Sequence, residues 1–193
     1  IFKQNKEKIN GNLFRSDFIK NFISLIPNKS KVISTTGFTS RELMELRKRF
    51  YLNKGKDFYM VGGMGHASSV ATGYALNSKK QVFCLDGDGS ILMHLGSLRT
   101  AGYLKNNNFK HIILNNNSHE SVGGQPTNAK GINFRQLSYS VGYKKYFQIT
   151  NLIGIQGNIK KFIKSKGPSL LEVRIRNGSL KNLSRPKNLI KIK

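Results

Sequence analysis

The stretch that decides the fold is residues 80–90, which read KQVFCLDGDGS. Its first half is a short apolar run and predicts a buried strand over residues 80–85. Its second half alternates Asp with Gly and leads into a helix predicted over residues 90–104. In parallel α/β sheets, ligands bind at the carboxyl ends of the strands. The Asp-Gly turn is therefore the first candidate for a functional site, with a plain surface turn as the alternative.

The same alternation of strands and helices continues in both directions along the chain. Strands are predicted over residues 31–36, 58–61, 111–114, 144–149 and 170–175, and helices over residues 41–50, 66–76 and 158–166. Either Thr39 or Ser40 could cap the helix at 41–50. The fold class is therefore α/β, a three-layer α/β/α arrangement with a mainly parallel sheet covered on both faces.

A single domain is expected over residues 1–193, with its core at about 16–177. The flanks, including a basic C-terminal extension at 178–193, are expected to pack poorly or to contact a partner. No apolar run approaches the roughly 20 residues that a membrane span requires. One cysteine, Cys84, excludes an internal disulfide framework and lies in an apolar strand, so we expect a core residue in a cytoplasmic protein.

The charge is strongly one-sided, with 33 Lys and Arg against 9 Asp and Glu and a formal net charge of +24. Such an excess favours partners rich in phosphate. The basic residues are spread along the whole chain, however, and most aromatic residues lie in apolar runs, so nucleic-acid binding is disfavoured as the main function. The 38% of hydrophobic residues excludes a disordered basic tail.

Two further turns carry unusual residues. Residues 115–121, NNNSHES, follow one predicted strand, and residues 62–67, GGMGHA, follow another. Since adjacent parallel strands bring their C-terminal turns together, Asp88 and the Asn pair could share one divalent cation. An Asn-rich loop alone means little, but Gly-Asp-Gly, a spacer of 25 residues and Asn-Asn form a specific combination. For the turn at 62–67, the alternatives are a core Met64 or a dinucleotide loop that lacks its third glycine.

This combination resembles the cofactor-binding motif of the thiamine-diphosphate-dependent decarboxylases and synthases. The resemblance implies thiamine diphosphate and Mg²⁺ as cofactors, with Asp88, Asn116 and the main chain of Ser118 as the metal ligands. It also implies a set of residues that contact the cofactor, in which Met64 supports its bent shape and Gly62 offers a carbonyl group. The set is Thr36, Gly37, Gly62, Gly63, Met64, Gly87, Asp88, Gly89, Ser90, Asn116, Ser118 and His119.

Within that family, four segments are similar to phosphonopyruvate decarboxylases first and to sulfopyruvate decarboxylases second. They are TTGFTSREL (35–43), GMGHAS (63–68), DGDGSILM (86–93) and SHESVGGQPT (118–127). The implied reaction is decarboxylation of a 3-substituted pyruvate, either phosphonopyruvate to phosphonoacetaldehyde or that of a related 2-oxo acid. Asn117 stands where a glycine is common, Glu120 where Asp is expected and Gly63 where Ser is frequent, and these departures bear on substrate choice.

The implied catalytic residues are His66, His119 and Glu120. Each histidine could transfer a proton or bind the anionic substrate, or could serve only the structure of its loop. Arg41 could hold a phosphonate group or simply solvate its helix.

Members of this family also need a pyrimidine-binding domain with an activating glutamate, and this domain is expected on another part of the polypeptide or on a separate subunit. A homo- or hetero-oligomer is therefore expected. The rival hypothesis is a basic nucleic-acid-binding or scaffolding protein on a degenerate α/β fold.

Overall fold

The computed structural model describes residues 13–50 and 57–186, and the described residues form one six-stranded, fully parallel sheet. The strands are β1 (Lys31–Ser34), β2 (Phe58–Tyr59), β3 (Val82–Gly87), β4 (Phe109–Asn115), β5 (Lys145–Ile149) and β6 (Ser169–Arg174). Their order across the sheet is β2-β1-β3-β4-β6-β5. The central strands β1, β3 and β4 therefore end side by side, as the predicted shared site requires.

The helices cover both faces of this sheet. They are α1 (Arg15–Leu25), α2 (Phe38–Arg49), α3 (Ala67–Leu76), α4 (Asp88–Met93), α5 (Gly96–Leu104), α6 (Phe134–Ser140) and α7 (Ile155–Lys164). Along β3, Phe83 and Leu85 belong to a core with α1, α2 and α7, whereas Val82 and Cys84 belong to the opposite core with α3 and α5. This alternation buries a strand on both faces, because successive side chains point to opposite sides. The predicted three-layer α/β fold is confirmed.

The helix predicted over residues 90–104 is in fact two helices. The first, α4, begins earlier, at Asp88, and the break falls at His94 and Leu95. The helix predicted over 41–50 likewise begins earlier, at Phe38, so Thr39 and Ser40 lie inside α2 and neither caps it. Gly37, with φ of 86°, makes the sharp entry instead, and the Ser40 hydroxyl donates to the Thr35 carbonyl at 2.6 Å.

Two helices are missing from the sequence prediction. In α1, the apolar residues Phe18, Ile19, Phe22 and Ile23 lie on one helical face, and all four are buried. The other helix is α6, which begins at the side-chain cap that Asn133 makes to the backbone N–H of Gln136.

Two points of the flanks pack against the core, contrary to the expectation of poor packing, although most described residues after Asn177 are exposed. Leu13 is fully buried in the core, and Leu180 packs against the same core. The Arg176 N–H donates to the Leu13 carbonyl at 2.9 Å, which joins the two ends. Residues 187–193 of the basic extension lie outside the described residues. Within the described ranges, none of the helices combines the length and apolar character needed to cross a membrane.

At the opposite edge of the sheet from the predicted site, β4 carries a buried lysine. Lys110 is fully buried, and its ammonium donates to the Ser165 carbonyl and to the hydroxyls of Ser165 and Ser169. These partners are neutral, and burial lowers the pKa of Lys110 to about 8.

We expect this lysine to make stability depend on pH. Because its folded-state pKa lies below the unfolded value of about 10.4, the unfolded chain binds more protons, and stability rises with pH. Between about pH 7.5 and 9.5 the rise should be roughly 2 kcal/mol. Lys110→Met should remove this component and raise stability at neutral pH. Urea unfolding of both proteins across this range checks it, and parallel curves would contradict it.

Candidate functional site

An open cleft lies where β1, β3 and β4 end. Ten of the residues predicted for the site line it: Thr36, Met64, Gly87, Asp88, Gly89, Ser90, Asn116, Ser118, His119 and Glu120. Sequence reasoning missed the other residues of the lining, which are Arg15, Thr35, Phe38, Thr39, Leu114, Ser121 and Val122. The predicted convergence of the three turns is thus present in the structure.

Asp88 is the buried acid of the cleft, with 2% of its surface exposed. Its carboxylate accepts a hydrogen bond from the Thr127 hydroxyl and others from the backbone N–H groups of Asn116 and Gly89. Burial raises the pKa of Asp88, and these hydrogen bonds act in the opposite direction. A divalent cation would offset the same desolvation, because it favours the charged carboxylate.

The turn after β4 brings Asn116 and Ser118 to this acid. Asn116 is 5% exposed, and its side-chain oxygen accepts the Ser118 N–H at 3.1 Å. Asn117, between them, has φ of 55°, in the left-handed region. Asparagine and aspartate tolerate that region better than other residues with a side chain, so Asn117 keeps the turn that a glycine would also allow. The Ser118 hydroxyl is buried and has no hydrogen-bond partner in the described part of the chain.

Ser90 joins three of the loops that surround the cleft. Its hydroxyl lies 2.9 Å from the hydroxyl of Thr35, at the end of β1. It also accepts the backbone N–H of Gly65 at 3.0 Å, from the loop before α3. Since Ser90 itself belongs to α4, one buried hydroxyl fixes the relative positions of the loops after β1, β2 and β3.

Gly89 is required by a close approach. A Cβ atom at this position would lie 2.4 Å from the His119 ring and 2.8 Å from the Thr127 side chain. The His119 ring is therefore seated directly on the start of α4, where the sequence predicted cofactor contacts. This places His119 inside the cleft, with its backbone N–H bonded to the Gln125 carbonyl at 2.7 Å.

Several predicted residues do not line the cleft. The His66 side chain is exposed and lies against the His94 ring, with ring centroids 4.8 Å apart. Gly62 and Gly63 are exposed at positive φ in the same loop, and only Met64 of this turn faces the cleft. Gly37 instead approaches Ser121, whose hydroxyl would lie 2.9 Å from a Cβ at that position.

Arg41 does not line the cleft either. Its guanidinium lies 5.7 Å from the centre of the Phe38 ring. The prediction that Arg41 holds a phosphonate group therefore gains no support from its position.

The Glu120 carboxylate lines the cleft but is already engaged. It accepts hydrogen bonds from the Arg15 guanidinium and from the backbone N–H of Gly178, and the Asn116 amide nitrogen lies at 3.3 Å. Because these three donors occupy both oxygens of the carboxylate, neither oxygen is free to approach a proton of the substrate. These contacts argue against the catalytic role that the sequence predicted for Glu120.

Behind the Asp-Gly turn lies a second polar cluster, formed by Cys84, Asp86 and His111. Their possible ligand atoms lie within 4.8 Å of one another, and all three residues are buried. Both ring nitrogens of His111 have protein partners, the Tyr143 hydroxyl at 2.8 Å and the Asp86 carboxylate at 3.4 Å. Burial raises the pKa of the Cys84 thiol. The polar atoms of His111 therefore have protein partners and need no ion. Cys84 is a buried core residue, as the sequence predicted.

The residues of the cleft fit a divalent cation and a diphosphate group. Asp88 supplies a buried carboxylate, Asn116 a buried amide oxygen and Ser118 a buried hydroxyl that lacks a partner in the described residues. These are oxygen ligands of the kind that Mg²⁺ prefers. Asp88, Asn116 and Ser118 are the three residues that the sequence predicts as metal ligands, and all three line this cleft.

Residues 35–173 match the protein family described as the C-terminal TPP binding domain of thiamine pyrophosphate enzymes. The chain is 38% identical over 169 residues to a phosphonopyruvate decarboxylase from Streptomyces viridochromogenes, covering 88% of this chain and 41% of that protein. It is 39% identical over 129 residues to the sulfopyruvate decarboxylase subunit beta of Methanocaldococcus jannaschii, covering 66% of each chain. The chain thus spans about two fifths of the length of the phosphonopyruvate decarboxylase.

A solved structure shares the fold. It is an X-ray structure of a protein from Mycobacterium smegmatis that is assigned as a thiamin diphosphate-dependent enzyme. The TM-score is 0.70 at 18% sequence identity, and the match covers 86% of this chain and 32% of that chain. At this identity the likeness shows the fold alone.

Proposed function

Because the chain belongs to the thiamine pyrophosphate enzymes, in the family of their C-terminal TPP binding domain, we propose that it is the diphosphate-binding half of a 2-oxo acid decarboxylase. The substrate that we propose is a 3-substituted pyruvate, with phosphonopyruvate first. The single observation that carries the proposal is the convergence of Asp88, Asn116 and Ser118 in one cleft at the carboxyl edge of the sheet. The 38% identity to a phosphonopyruvate decarboxylase supports the substrate class.

Thiamine diphosphate supplies the electron sink that lets a 2-oxo acid lose carbon dioxide. In this chain, Asp88, Asn116 and Ser118 would hold Mg²⁺ and through it the diphosphate. Met64 would support the cofactor from the loop before α3, and Thr36, Gly87, Gly89 and Ser90 would surround the diphosphate. His119, seated on Gly89 inside the cleft, is the residue that we propose for proton transfer or for binding the substrate's carboxylate.

The activity requires a pyrimidine-binding domain or subunit, which we propose as the partner of this chain. The relatives named sulfopyruvate decarboxylase subunit beta are short proteins, and the chain covers 75% of the one from Methanothermobacter thermautotrophicus at 35% identity. This coverage favours a second candidate substrate, sulfopyruvate, acted on by two subunits. The exposed His66 stays a predicted catalytic residue, which such a partner would have to bring close to the cofactor.

The test uses this chain together with the polypeptide that supplies the pyrimidine-binding half. Carbon dioxide release is measured with phosphonopyruvate, sulfopyruvate and pyruvate, each with and without thiamine diphosphate and Mg²⁺. We expect release that depends on both cofactors, with kcat/KM for phosphonopyruvate at least ~10-fold above the other two. A preference for sulfopyruvate would select the second candidate. Cofactor binding without release from any of the three acids would overturn the proposed reaction.

A further inference from the structure

Glu120 contacts the amide group of Asn116, one of the residues that would hold the metal. The Asn116 side-chain nitrogen donates to one Glu120 oxygen at 3.3 Å, while the Asn116 side-chain oxygen accepts the Ser118 N–H at 3.1 Å. An ionised carboxylate only accepts and a backbone N–H only donates, so these two partners fix which end of the amide is oxygen. Without Glu120, only the Ser118 N–H would hold the amide in this orientation.

Glu120 is itself held from two directions. The Arg15 guanidinium at the start of α1 donates to the same oxygen that faces Asn116, and the Gly178 N–H donates to the other. Arg15 is only 4% exposed, so this ion pair is largely shielded from solvent. Neither Arg15 nor Gly178 lies within residues 35–173, which match the family. The loop after β4, which carries Asn116 and Glu120, thus contacts segments near both ends of the described domain.

A second carboxylate, Glu42 of α2, has nearly the same surroundings. It lies 3.6 Å from the Arg15 guanidinium and accepts the backbone N–H of Leu180 at 2.8 Å. Both acids therefore pair with Arg15 and bind the C-terminal segment at 178–180. Only Glu120 contacts Asn116, which makes Glu42 a matched control within the same network.

Resting on the function proposed above, we propose that Glu120 is a positioning residue that sets the amide oxygen of Asn116 toward the metal, and that Arg15 and Gly178 hold it in place. The carboxylate exchanges no proton with the substrate in this role. In this proposal the segment at 178–180 supports the loop after β4, through the Gly178 N–H that binds Glu120.

The experiment compares Glu120→Gln with Glu42→Gln. Each variant removes one carboxylate beside Arg15. Only Glu120→Gln also puts a side-chain amide next to Asn116, and its NH₂ group can face the Asn116 NH₂ group where the carboxylate accepted a hydrogen bond. Mg²⁺ is titrated into the chain at a fixed, saturating concentration of thiamine diphosphate, and binding is followed by calorimetry. We expect apparent Mg²⁺ affinity to fall ~10- to 100-fold in Glu120→Gln, as for other residues that orient metal ligands. In Glu42→Gln it should stay within ~3-fold of the parent, in line with that difference.

Urea unfolding without ligands separates positioning from general stability. The free energy of unfolding of each variant is compared with its Mg²⁺ affinity, so that a loss of binding is not mistaken for a loss of stability. Glu120→Asp keeps an acceptor-only group and should retain more Mg²⁺ affinity than Glu120→Gln, and it serves in its place if that variant does not fold. Equal losses of Mg²⁺ affinity in the Glu120 and Glu42 variants, or no loss in either, would overturn the positioning role. Failure of the parent chain to bind thiamine diphosphate and Mg²⁺ even together with its pyrimidine-binding partner would instead overturn the proposed function.

Discussion

Asp88→Asn is expected to remove most of the stabilisation that thiamine diphosphate and Mg²⁺ give to this chain. The substitution keeps the size of the side chain and the acceptor oxygen that faces Thr127, but it removes the negative charge that would bind the cation. At a ligand concentration about 100 times the dissociation constant, the parent gains about 2.7 kcal/mol. A 100-fold weaker affinity leaves a gain of only about 0.4 kcal/mol.

Without ligand, the same substitution should leave the free energy of unfolding unchanged or raise it. Because burial raises the pKa of Asp88, its charge costs stability in the folded chain, and the neutral asparagine should leave the unliganded protein equally stable or more stable. Thermal or urea unfolding with and without the two cofactors measures both effects. Asp57→Asn is the control, since it also removes a largely buried carboxylate, one that pairs with Arg47 at 2.8 Å. That variant should lose stability and keep its cofactor-dependent gain, and an unchanged gain in Asp88→Asn would exclude Asp88 as a metal ligand.

The second large effect is expected at Gly102, in the helix α5. A Cβ atom there would lie 2.0 Å from the Val141 carbonyl oxygen and 2.8 Å from its carbon, so a backbone segment after α6 would have to move. Alanine favours the helix by about 1 kcal/mol over glycine. Overpacking against a fixed backbone costs about 1 to 3 kcal/mol and sometimes more. We expect the clash to prevail, with Gly102→Ala losing at least about 2 kcal/mol of unfolding free energy.

The control for this prediction is Gly157→Ala, in α7. No atom lies within 4 Å of a Cβ built at Gly157, so only the helix preference remains. That variant should gain about 0.5 to 1 kcal/mol. Urea unfolding of the two variants therefore has opposite expected signs. A loss in both, or a gain in both, would show that the packing of α5 against the segment at 141–142 does not decide the outcome.

The centre of the site could be predicted from the sequence because its signal is local. Asp88 and Asn116 each follow a strand directly, and adjacent parallel strands fix where the two turns meet. Arg15 could not be found this way, since nothing in its own segment marks a contact with Glu120, 105 positions away. Thr127 had a weak signal, its place at the end of the run SVGGQPT, but its hydrogen bond to Asp88 depends on how that loop folds back.

The orientation of single side chains was the least predictable part. His66 follows three glycines at positive φ, and these turns direct the ring outward to His94 instead of into the cleft. Glu120 is in the cleft as predicted, but its partners from α1 and from the segment after β6 favour the positioning role that we propose over the predicted catalytic one. The helix predicted over 90–104 is also interrupted at His94, whose φ of −142° and ψ of 52° are not helical.

The hydroxyl of Ser90 has an evolutionary consequence. Thr35 and Gly65 come from two different loops, and both contact the buried hydroxyl of Ser90 in α4. Removal of either the Thr35 or the Ser90 hydroxyl already breaks the hydrogen bond between them. The losses of stability from the two substitutions should therefore not add. Substitutions at Thr35, Gly65 and Ser90 are thus expected to accumulate together during evolution. A loop transplanted alone from a relative would lack the residue with which it forms this hydrogen bond.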